Sequence, residues 1–449
     1  MEVLHISPHV GGGVGSVIGG FFKESRDRNI TNSLFCLDWC NTNFNDISST
    51  QSKFEGVLFR PQLKELLVKR VNQVDVVLLH YWNHPLLAKL LSENVLTKDR
   101  LVIWCHNSGL FEPHVLPKYL VSISSKVIFS SSCSYAANNL QSLISEFPTA
   151  FGCVHSTRNT DQFLDVAVTR VYKYPLRNLL YVGTVSGSKM HPRSAEIFSD
   201  LSKKGFLITV VGGPGHEKLA EEVRSLGGEI EIYGEVADVG LFYRNADLFI
   251  YPLRSDHYGT GEQVILEAMA SGLPVVAFDN PAERAILQEG GGVLASSVQD
   301  FCSNVVRLSF ESLDIIEKMS KTAIDRIRSE FDVSRMVNQL VDVMLEVSEV
   351  EHLKIVDCST DSQSSNEIDE LALYVLHSFF DGEDIVRENR DNLSLLHNVI
   401  YDKIRLLLES RGAAERWYGF NKSTPFHYQR FFPENIHLTS LCERLMLDA

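Results

Sequence analysis

Basic residues are scarce in this chain. Its 449 residues include 42 Lys+Arg against 57 Asp+Glu, which gives a formal net charge of −15. Proteins that bind nucleic acid take much of their affinity from basic side chains that neutralise phosphates. We therefore expect no nucleic-acid partner. A small phosphate-bearing ligand stays compatible with the charge, because its site needs only one or two cations and some backbone amides.

Long apolar runs and paired cysteines are lacking as well. No run reaches the roughly 18 apolar residues that would span a bilayer, and the first residues lack the basic flank and apolar core of a signal peptide. The eight cysteines form no Cys-x-x-Cys pair, and some, such as Cys105, lie in apolar stretches. Buried thiols in a reducing compartment fit this pattern better than disulfides or zinc. These absences predict a cytoplasmic protein.

The composition that is present belongs to a folded protein of several domains. With 44% hydrophobic residues the chain is too apolar for disorder, and its length predicts about three domains. The net charge is uneven, at +1 over residues 1–170, −9 over 171–350 and −7 over 351–449.

Short β-branched runs alternate with helical patterns through the first 350 residues, which is typical of parallel α/β sheets. The predicted strands are Val3–Ser7, Ser33–Leu37, Val74–Leu79, Leu101–Cys105, Lys126–Ser130, Asn178–Val182, Leu207–Val211, Glu229–Tyr233, Leu248–Tyr251 and Pro274–Ala277. Two successive sets predict two doubly wound, Rossmann-like domains, residues 1–170 and residues 171–350 with closing helices. Ligands collect at the carboxyl ends of such strands and at domain interfaces, so we expect the site in a cleft between the domains.

The last hundred residues have a different pattern. Residues 357–369 are polar and predict a linker. Residues 370–449 predict a C-terminal helical module with an aromatic end that includes Trp417, Phe426 and Phe431. This aromatic cluster, with His427 and Arg430, suits an acceptor or partner surface, and it suits equally well the packing of the module onto the rest of the protein.

The strongest local signal is the segment Tyr258-Gly-Thr-Gly-Glu-Gln-Val-Ile-Leu-Glu267. Its glycine-rich turn opens a helix whose first amides, after Gly261, belong to Glu262, Gln263 and Val264. Free amides and the helix dipole form an anion site, and the Glu267 carboxylate could accept two hydroxyl hydrogen bonds from a ribose. An ordinary glycine-initiated helix with a solvated Glu is the alternative.

This segment continues into Glu267-Ala-Met-Ala-Ser-Gly272-Leu-Pro-Val-Val276, and the whole resembles the Glu-x7-Glu motif of retaining GT-B glycosyltransferases, in particular glycosyltransferase family 4. Four other stretches resemble that family in the same order, namely Leu180-Tyr181-Val182-Gly183 followed by Lys189, Val210–Gly215, Ile232–Val236 and Ala246–Pro252. The resemblance implies a GT-B fold of two Rossmann-like domains facing a cleft. It also implies a retaining transfer of sugar from a nucleoside-diphosphate sugar to a saccharide or lipid-linked glycan, in bacterial surface polysaccharide or glycoconjugate synthesis.

The resemblance assigns roles to matching positions in the second domain. Glu267 falls on the Glu that holds the ribose hydroxyls, and Lys189 on the Lys that meets the donor diphosphate, with Gly183 in the same turn. A fixed cation is suited to this role, since the departing diphosphate gains charge in the transition state. Tyr233 lies in the turn on the nucleobase side. No metal or other cofactor is expected, because no Asp-x-Asp cluster accompanies the motif.

Two positions depart from the family pattern. The Arg expected after Gly183 is Thr184, and the first Glu of Glu-x7-Glu is Gly259. We hypothesise that Arg254 replaces the missing cation, and that Glu262 or Asp256 replaces the missing carboxylate.

In the first domain the resemblance is looser. Gly12 and Gly13 lie in a glycine-rich turn after the first strand, where the family's loop approaches the donor phosphate; a plain tight turn is the alternative. His106 ends the fourth strand, where a family His lies beside the donor sugar. His80 and Trp82 end the preceding strand on the acceptor side, and Trp82 could stack on a sugar ring or simply belong to the core.

Two further interpretations concern partners. The helix beginning near Arg60 has a basic side that includes Lys64, Lys69 and Arg70, which suits a peripheral contact with the inner face of a membrane or an ordinary solvated surface. Among all these residues we expect His106, Lys189 and Glu262 to be catalytic. The rival functions are a catalytically silent GT-B protein that binds a glycan or protein partner, and a Rossmann oxidoreductase, which the absence of a proper dinucleotide fingerprint disfavours.

Overall fold

The computed structural model describes residues 1–40, 53–96, 98–349, 368–389, 391–411, 417 and 423–447. The chain divides into two compact units. The first consists of Met1–His155 together with Met336–Ala449, and the second is Ser156–Arg335.

The first unit is built on a parallel sheet of seven strands in the order β3-β2-β1-β4-β5-β6-β7. These are β1 (Glu2–Ser7), β2 (Thr31–Cys36), β3 (Lys53–Glu55), β4 (Val76–Tyr81), β5 (Leu101–Cys105), β6 (Lys126–Phe129) and β7 (Phe151–Cys153). The central strands are continuous apolar runs because helices cover both faces of such a sheet. Every residue of β4 and β5 is buried. Strand order reverses between β1 and β4, the place where ligands bind in open α/β sheets.

The helices of the first unit come from both ends of the chain. Those of the N-terminal part are Gly12–Glu24, Pro61–Val71, Pro85–Ser92, Tyr119–Ile123 and Gln141–Glu146, and those of the C-terminal part are Met336 onward in Val333–Ser348, then Glu370–Ser378, Gly382–Asn389, Leu393–Arg411, Pro425–Phe431 and Ile436–Leu447. Proline occupies the first turn of several of them, where its missing N–H costs nothing.

The second unit has a parallel sheet of six strands in the order β10-β9-β8-β11-β12-β13. These are β8 (Asn178–Val182), β9 (Leu207–Val211), β10 (Glu231–Tyr233), β11 (Leu248–Tyr251), β12 (Val275–Phe278) and β13 (Gly292–Ala295). Its helices are Asp161–Val168, Ser194–Lys203, His216–Ser225, Gly240–Asn245, Gln263–Ala270, Pro281–Leu287, Val298–Ser309 and Leu313–Glu330. Here strand order reverses between β8 and β11.

The two parallel sheets confirm the predicted fold class, and all ten predicted strands are present within two residues of their expected ends. Three strands were not predicted, namely β3, β7 and β13. Each lies at the edge of its sheet and has only three or four residues. The pattern of β13 is further weakened by the glycines that precede it, because glycine contributes no side chain to a strand face.

The second unit begins earlier than the predicted boundary at residue 170. Phe163 is fully buried in its core. The Arg170 guanidinium donates to the carbonyls of Tyr243, Ala246 and Ser271 at 2.6–2.7 Å. These contacts explain why residues 156–170 group with the second sheet.

The C-terminal helices group with the first unit. The hydroxyls of Tyr81 and Tyr119 lie 2.9 Å and 2.7 Å from the two ring nitrogens of His377, and the Ser423 hydroxyl donates to the carbonyl of Asn83 at 3.2 Å. The helical prediction for 370–449 holds for its described residues, but they pack on the first sheet. Of the predicted linker, residues 357–367 lie outside the described residues.

Within the part of the chain that the structure describes, no helix is both long and apolar enough to cross a membrane.

Candidate active site

In the second unit, the candidate site lies where β8 and β11 end side by side. Lys189 follows β8, and Glu262 follows β11 and precedes the helix Gln263–Ala270. Both side chains therefore flank the reversal of strand order. A parallel sheet directs the loops after neighbouring strands to the same edge, which is why residues distant in sequence meet here.

Lys189 and Glu262 form a buried ion pair. The Lys189 Nζ lies 3.1 Å from Glu262 Oε2, and the Tyr251 hydroxyl donates to the same oxygen. Burial raises the pKa of Glu262, but the stronger combined attraction of Lys189 and His257 leaves that pKa below its usual value. Burial likewise opposes the charge of Lys189, yet the neighbouring carboxylate raises the pKa of the ammonium above its usual value. Both groups are therefore charged at neutral pH.

Glu262 takes the space of the missing side chain at Gly259. A Cβ built on Gly259 would overlap Glu262 Oε1 and would lie 2.9 Å from His257 Nδ1. The sequence left Glu262 and Asp256 as two replacements for the absent carboxylate. The structure brings Glu262 beside Lys189 and places its carboxylate where a side chain from 259 would begin.

Asp256 instead partners Arg254. The Arg254 Nε donates to Asp256 Oδ1 at 2.5 Å, and another guanidinium nitrogen donates to the Gly187 carbonyl at 2.6 Å. The Arg254 backbone N–H also donates to the Lys189 carbonyl at 3.1 Å. Arg254 is buried and so fixes the loop that carries Lys189, with its charge offset by Asp256. Its hypothesised role as a replacement for the diphosphate-binding Arg stays a prediction.

His257 is held between two carboxylates. Its Nε2 lies 3.0 Å from both oxygens of the fully buried Glu283, and its Nδ1 lies 3.7 Å from Glu262 Oε1. Burial lowers the pKa of His257, but Glu283 and then Glu262 outweigh burial and raise it overall. The Gly259 N–H donates to Nδ1 at 3.0 Å, which couples the histidine to the glycine turn.

Glu267 lies inside the helix and is almost fully buried. Its Oε2 accepts from the Tyr243 hydroxyl at 2.9 Å, and its Oε1 lies 3.1 Å from an Arg158 nitrogen. Burial raises the pKa of Glu267, against the lowering effect of Arg158 and Tyr243. A ribose contact at Glu267 stays a prediction, and it has to share the carboxylate with these two residues.

Other predicted donor residues of the second unit lie at the ends of β8 and β10, the strands on either side of β9. Gly183 and Gly212 pack so closely that a Cβ at Gly212 would overlap the Gly183 carbonyl oxygen, and both have φ in the region that favours glycine, at 147° and 132°. The Gly212 N–H donates to the Tyr233 carbonyl at 3.0 Å. The ends of β8, β9 and β10 are thereby connected, and Tyr233 is 42% exposed at their edge.

The remaining predicted residues of this half have structural contacts. The Thr184 carbonyl accepts from the Tyr181 hydroxyl at 2.8 Å. The Gln263 amide donates to the carbonyls of Ser156 and Gly261 at 2.7 Å and 3.1 Å, and the Val264 carbonyl lies 3.2 Å from the Tyr243 hydroxyl.

In the first unit, the predicted His80 and His106 are in direct contact. His80 Nδ1 lies 3.0 Å from His106 Nε2, and the two rings stack with centroids 5.3 Å apart. Burial lowers the pKa of His106 to about 3 and that of His80 well below its usual value. Both imidazoles are therefore neutral at physiological pH. Trp82 is 6% exposed and meets the His106 ring edge-on at 6.3 Å.

Gly12 and Gly13 begin the helix Gly12–Glu24. Gly12 has φ +56°, and nothing lies within 4 Å of a Cβ placed there, so the turn needs glycine for its backbone and leaves open space beside it. Gly13 is exposed.

Sequence reasoning missed several side chains of the site in the second unit, namely Arg158, Tyr243, Tyr251 and His257 as a partner of Glu283. Tyr251 could have been found, because it is the last residue of a predicted strand that ends at the site. The others are brought in by helices and loops whose packing no local pattern indicates.

Within the described residues, no group of three His, Cys, Asp or Glu side chains is arranged to hold a metal ion. The sequence-based expectation that no metal takes part remains a prediction.

The chain is similar to several glycosyltransferases. Residues 177–309 match the family model described as "Glycosyl transferases group 1". Over 102 residues the chain is 33% identical to a phosphatidyl-myo-inositol mannosyltransferase of Mycobacterium leprae, a match that covers 22% of this chain and 25% of the relative. The chain thus spans about a quarter of the length of that curated relative.

Solved structures extend the likeness to the fold as a whole. A glycosyltransferase from Rickettsia africae matches with a TM-score of 0.60 and 15% identity, over 78% of this chain and 99% of that one. Anabaena HepE in complex with UDP and glucose matches with a TM-score of 0.56 and 16% identity, over 77% of this chain and all of that one. The two parallel sheets and the similarity to these structures show a GT-B fold, within which residues 177–309 match the glycosyl transferases group 1 model.

Proposed function

We propose that this protein transfers a sugar from a nucleoside-diphosphate sugar to a saccharide or lipid-linked glycan acceptor, with retention of anomeric configuration. The observation that carries the proposal is the buried Lys189–Glu262 pair at the strand reversal of the group 1 domain. A cation in that place suits a leaving diphosphate, because a preorganised charge stabilises the negative charge that develops in the transition state.

Lys189 retains the capacity to bind a phosphate. An ammonium group has three donors, and its contact with Glu262 uses one of them. The carboxylate keeps the lysine charged and oriented in its buried surroundings. The helix Gln263–Ala270 adds backbone amides and the positive end of its dipole beside the pair.

The donor nucleotide is proposed from relatives as well as from chemistry. HepE was crystallised with UDP and glucose, so UDP-glucose is the first donor to test, followed by GDP- and ADP-sugars. In the proposed reaction the bond between the anomeric carbon and the diphosphate breaks, and the acceptor hydroxyl forms the new bond on the same face. The departing phosphate takes the acceptor proton, so no separate general base is required.

The proposed setting is the synthesis of a bacterial surface polysaccharide or glycoconjugate. A peripheral membrane contact through the helix Pro61–Val71 is part of this proposal. Lys64 pairs with Glu93 and Arg70 with Glu2, each at 2.9 Å, so part of the helix's basic charge is already offset within the first unit.

The test is release of nucleoside diphosphate from a panel of nucleotide sugars by the purified full chain, with and without glycan acceptors. We expect turnover by the native protein and a loss of at least about a hundredfold in Lys189→Met, which is the scale for removing one preorganised transition-state contact. Lys218→Met is the matched control, since Lys218 is an exposed lysine that pairs with Glu222 at 3.8 Å in the same unit.

One observation supports the rival, a silent GT-B protein that binds a glycan. In this structure Lys189 is paired with Glu262, and Glu267 with Arg158, so both inferred donor contacts have internal partners. Thermal stabilisation by a glycan without diphosphate release from any nucleotide sugar would favour the rival and reject the transferase. Stabilisation by NAD alone would point to the oxidoreductase.

A further inference from the structure

His257 joins the Lys189–Glu262 pair to a second carboxylate. On one side of the imidazole, Nε2 lies 3.0 Å from both oxygens of Glu283. On the other side, Nδ1 lies 3.7 Å from Glu262 Oε1, and the other oxygen of that carboxylate lies 3.1 Å from Lys189 Nζ. The side chains of His257, Glu262 and Glu283 are each at most 3% exposed, so water screens little of the attraction between them. The four ionisable groups form one row within the second unit.

The hydrogen bonds around His257 define its protonation state in the structure. The Gly259 backbone N–H donates to Nδ1 at 3.0 Å. Since a backbone N–H can only donate, Nδ1 is the acceptor, and the imidazole proton lies on Nε2, which faces Glu283. Glu283 is oriented in turn, because the Asn280 side-chain amide donates to its Oε1 at 3.3 Å. The imidazole in this arrangement is neutral.

A second proton on the imidazole changes the partner of Nδ1. An imidazolium has two donors and no acceptor, so the Gly259 amide can no longer donate to Nδ1. The carboxylate on that side belongs to Glu262. A shift of about 1 Å would bring its Oε1 from 3.7 Å to the distance of a charge-assisted hydrogen bond. Nδ1 therefore has one partner in each protonation state, the Gly259 amide when neutral and the Glu262 carboxylate when charged.

Among the described residues, the charged groups that act on His257 come from three elements. Glu283 belongs to the helix Pro281–Leu287, Glu262 lies directly before the helix Gln263–Ala270, and Lys189 lies in the loop after β8. Burial lowers the pKa of His257 and Lys189 lowers it further, but the two carboxylates outweigh both and raise it overall. The imidazole therefore takes up its second proton at a higher pH than an exposed histidine, whose pKa is about 6.5.

The charge on His257 affects how Lys189 meets an anion. With a neutral imidazole, the row holds two carboxylates and one ammonium, and the excess negative charge repels an incoming diphosphate. With an imidazolium the row is electrically balanced, and Glu262 divides its attraction between two cations. The Lys189 ammonium also lies 5.7 Å from the centre of the Tyr251 ring, within the range of a cation–π interaction. This contact holds the ammonium in place while its pairing with Glu262 weakens.

We propose that His257, oriented by Glu283, is a positioning residue for Lys189: when protonated, its Nδ1–H binds the Glu262 carboxylate and leaves the ammonium to bind the diphosphate of the nucleotide sugar. The inference rests on the proposed function for its ligand, the diphosphate, but not for the exchange of partners at Nδ1. The proton comes from water, and no bond of the sugar donor forms or breaks in this step. Diphosphate binding is thereby coupled to the uptake of one proton, so a lower pH favours it.

The protonation of His257 can be measured by NMR without any ligand. In full-length protein labelled with ¹⁵N-histidine, two-bond ¹H–¹⁵N correlations distinguish the protonated from the unprotonated nitrogen of each ring, and His257→Gln assigns the signal. We expect the Nε2–H tautomer at high pH and a transition to the imidazolium between about pH 6.5 and pH 9. An Nδ1–H tautomer at high pH, or the absence of a transition in that range, would overturn the proposal.

Variants of Glu283 separate positioning from packing. Glu283→Gln keeps the shape of the side chain and removes one attracting carboxylate, so it should lower the pKa of His257 by at least about 1. Glu283→Asp keeps the charge and should retain most of the increase. Glu222→Gln is the control, since Glu222 is an exposed carboxylate of the same unit that pairs with Lys218 at 3.8 Å. An unchanged His257 titration in folded Glu283→Gln would also overturn the proposal.

The affinity for nucleotide sugars measures the effect on Lys189. UDP-glucose, followed by GDP- and ADP-sugars, is the probe, because a diphosphate esterified at both ends does not titrate near neutral pH. In calorimetry the affinity of the native protein should rise as pH falls through the pKa of His257, by up to about tenfold per pH unit, the limit for uptake of one proton. His257→Gln should abolish this dependence, and Glu283→Gln should move it to lower pH.

The same pH dependence in the native protein and in His257→Gln would overturn the proposal. If His257 titrates as expected and no nucleotide sugar binds at any pH, the proposed function fails while the exchange of partners at Nδ1 stands.

Discussion

Glu262 fills the space beside the Cα of Gly259. A Cβ on Gly259 would overlap Glu262 Oε1, so a side chain at 259 and the present position of the Glu262 carboxylate exclude each other. The backbone of Gly259 is outside the region that requires glycine. The glycine is therefore needed for room and not for its conformation.

Adding a methyl group at Gly259 tests this relationship. Gly259→Ala should destabilise the second unit by about 1–3 kcal/mol, as overpacking of a filled site does, because the added methyl displaces Glu262 from Lys189. Gly234→Ala is the control, since the nearest atoms to its Cβ would lie at an ordinary 3.7 Å. Urea unfolding measures both.

The double variant Gly259→Glu with Glu262→Gly returns the carboxylate to the position that the family resemblance gives it. We expect this variant to recover stability and diphosphate release relative to Gly259→Glu alone. If the double variant were no better than the single one, the two residues would not be exchangeable.

The Lys189–Glu262 pair predicts that the losses of unfolding free energy caused by the two single substitutions are not additive. Removing one partner of a buried pair leaves the other charge uncompensated, so Lys189→Met or Glu262→Gln should each cost about 3–5 kcal/mol of unfolding free energy. The double variant should cost less than the sum of the two. At the exposed pair Lys218–Glu222 the same cycle should give a coupling of at most about 1 kcal/mol, and equal coupling at both pairs would contradict the buried arrangement.

The contacts of Glu267 with Arg158 and Tyr243 predict how pH affects the binding of a nucleotide to its carboxylate. Its contacts with Arg158 and Tyr243 stabilise the charged form against the burial that raises its pKa. Arg158→Met should therefore raise that pKa further, and UDP should bind this variant less tightly as pH falls. Calorimetric titration with UDP at two pH values measures the change, with Arg193→Met, an exposed residue of the same unit, as the control. A pH-independent affinity in Arg158→Met would exclude a Glu267 contact with the nucleotide.

The buried histidines predict acid sensitivity of the first unit. Burial lowers the folded-state pKa of His5 and of His377 to about 3, below the unfolded value near 6.5. The unfolded chain then binds protons that the folded protein does not. The free energy of unfolding is therefore highest above about pH 6.5. It decreases as pH falls toward 3, by about 1.4 kcal/mol per pH unit for each histidine.

Urea unfolding between pH 7 and pH 5 checks this slope. His5→Gln and His377→Gln should each reduce this slope by about one proton. A slope that none of the buried substitutions alters would assign the acid sensitivity to other groups.

The sequence predicted the central strands well because parallel strands covered on both faces are continuous apolar runs, as in β4 and β5. It failed at β3, β7 and β13, which are short strands at the sheet edges. The boundary at residue 170 was misplaced because nothing local to Phe163 or Arg170 indicates which sheet they pack against.

Within the candidate site, motif spacing singled out Lys189, Glu262 and Glu267, and the structure brings Lys189 and Glu262 together as an ion pair. It left Asp256 open beside Glu262 as a replacement for the missing carboxylate, because only the fold shows that Arg254 engages Asp256. His257 was missed for a related reason, because nothing in the sequence indicates that Glu283 lies beside it.

The division of the chain has a consequence for its synthesis. The second unit is one uninterrupted stretch, so a ribosome delivers all of it before the C-terminal helices emerge, and domains generally fold as units during synthesis. The first unit is assembled from both ends of the chain. Until His377 and Ser423 arrive, the Tyr81 hydroxyl and the Asn83 carbonyl lack the partners that cover them in the finished protein. In the nascent chain these polar groups, at and just after the end of β4, therefore stay uncovered until the C-terminal helices have been synthesised.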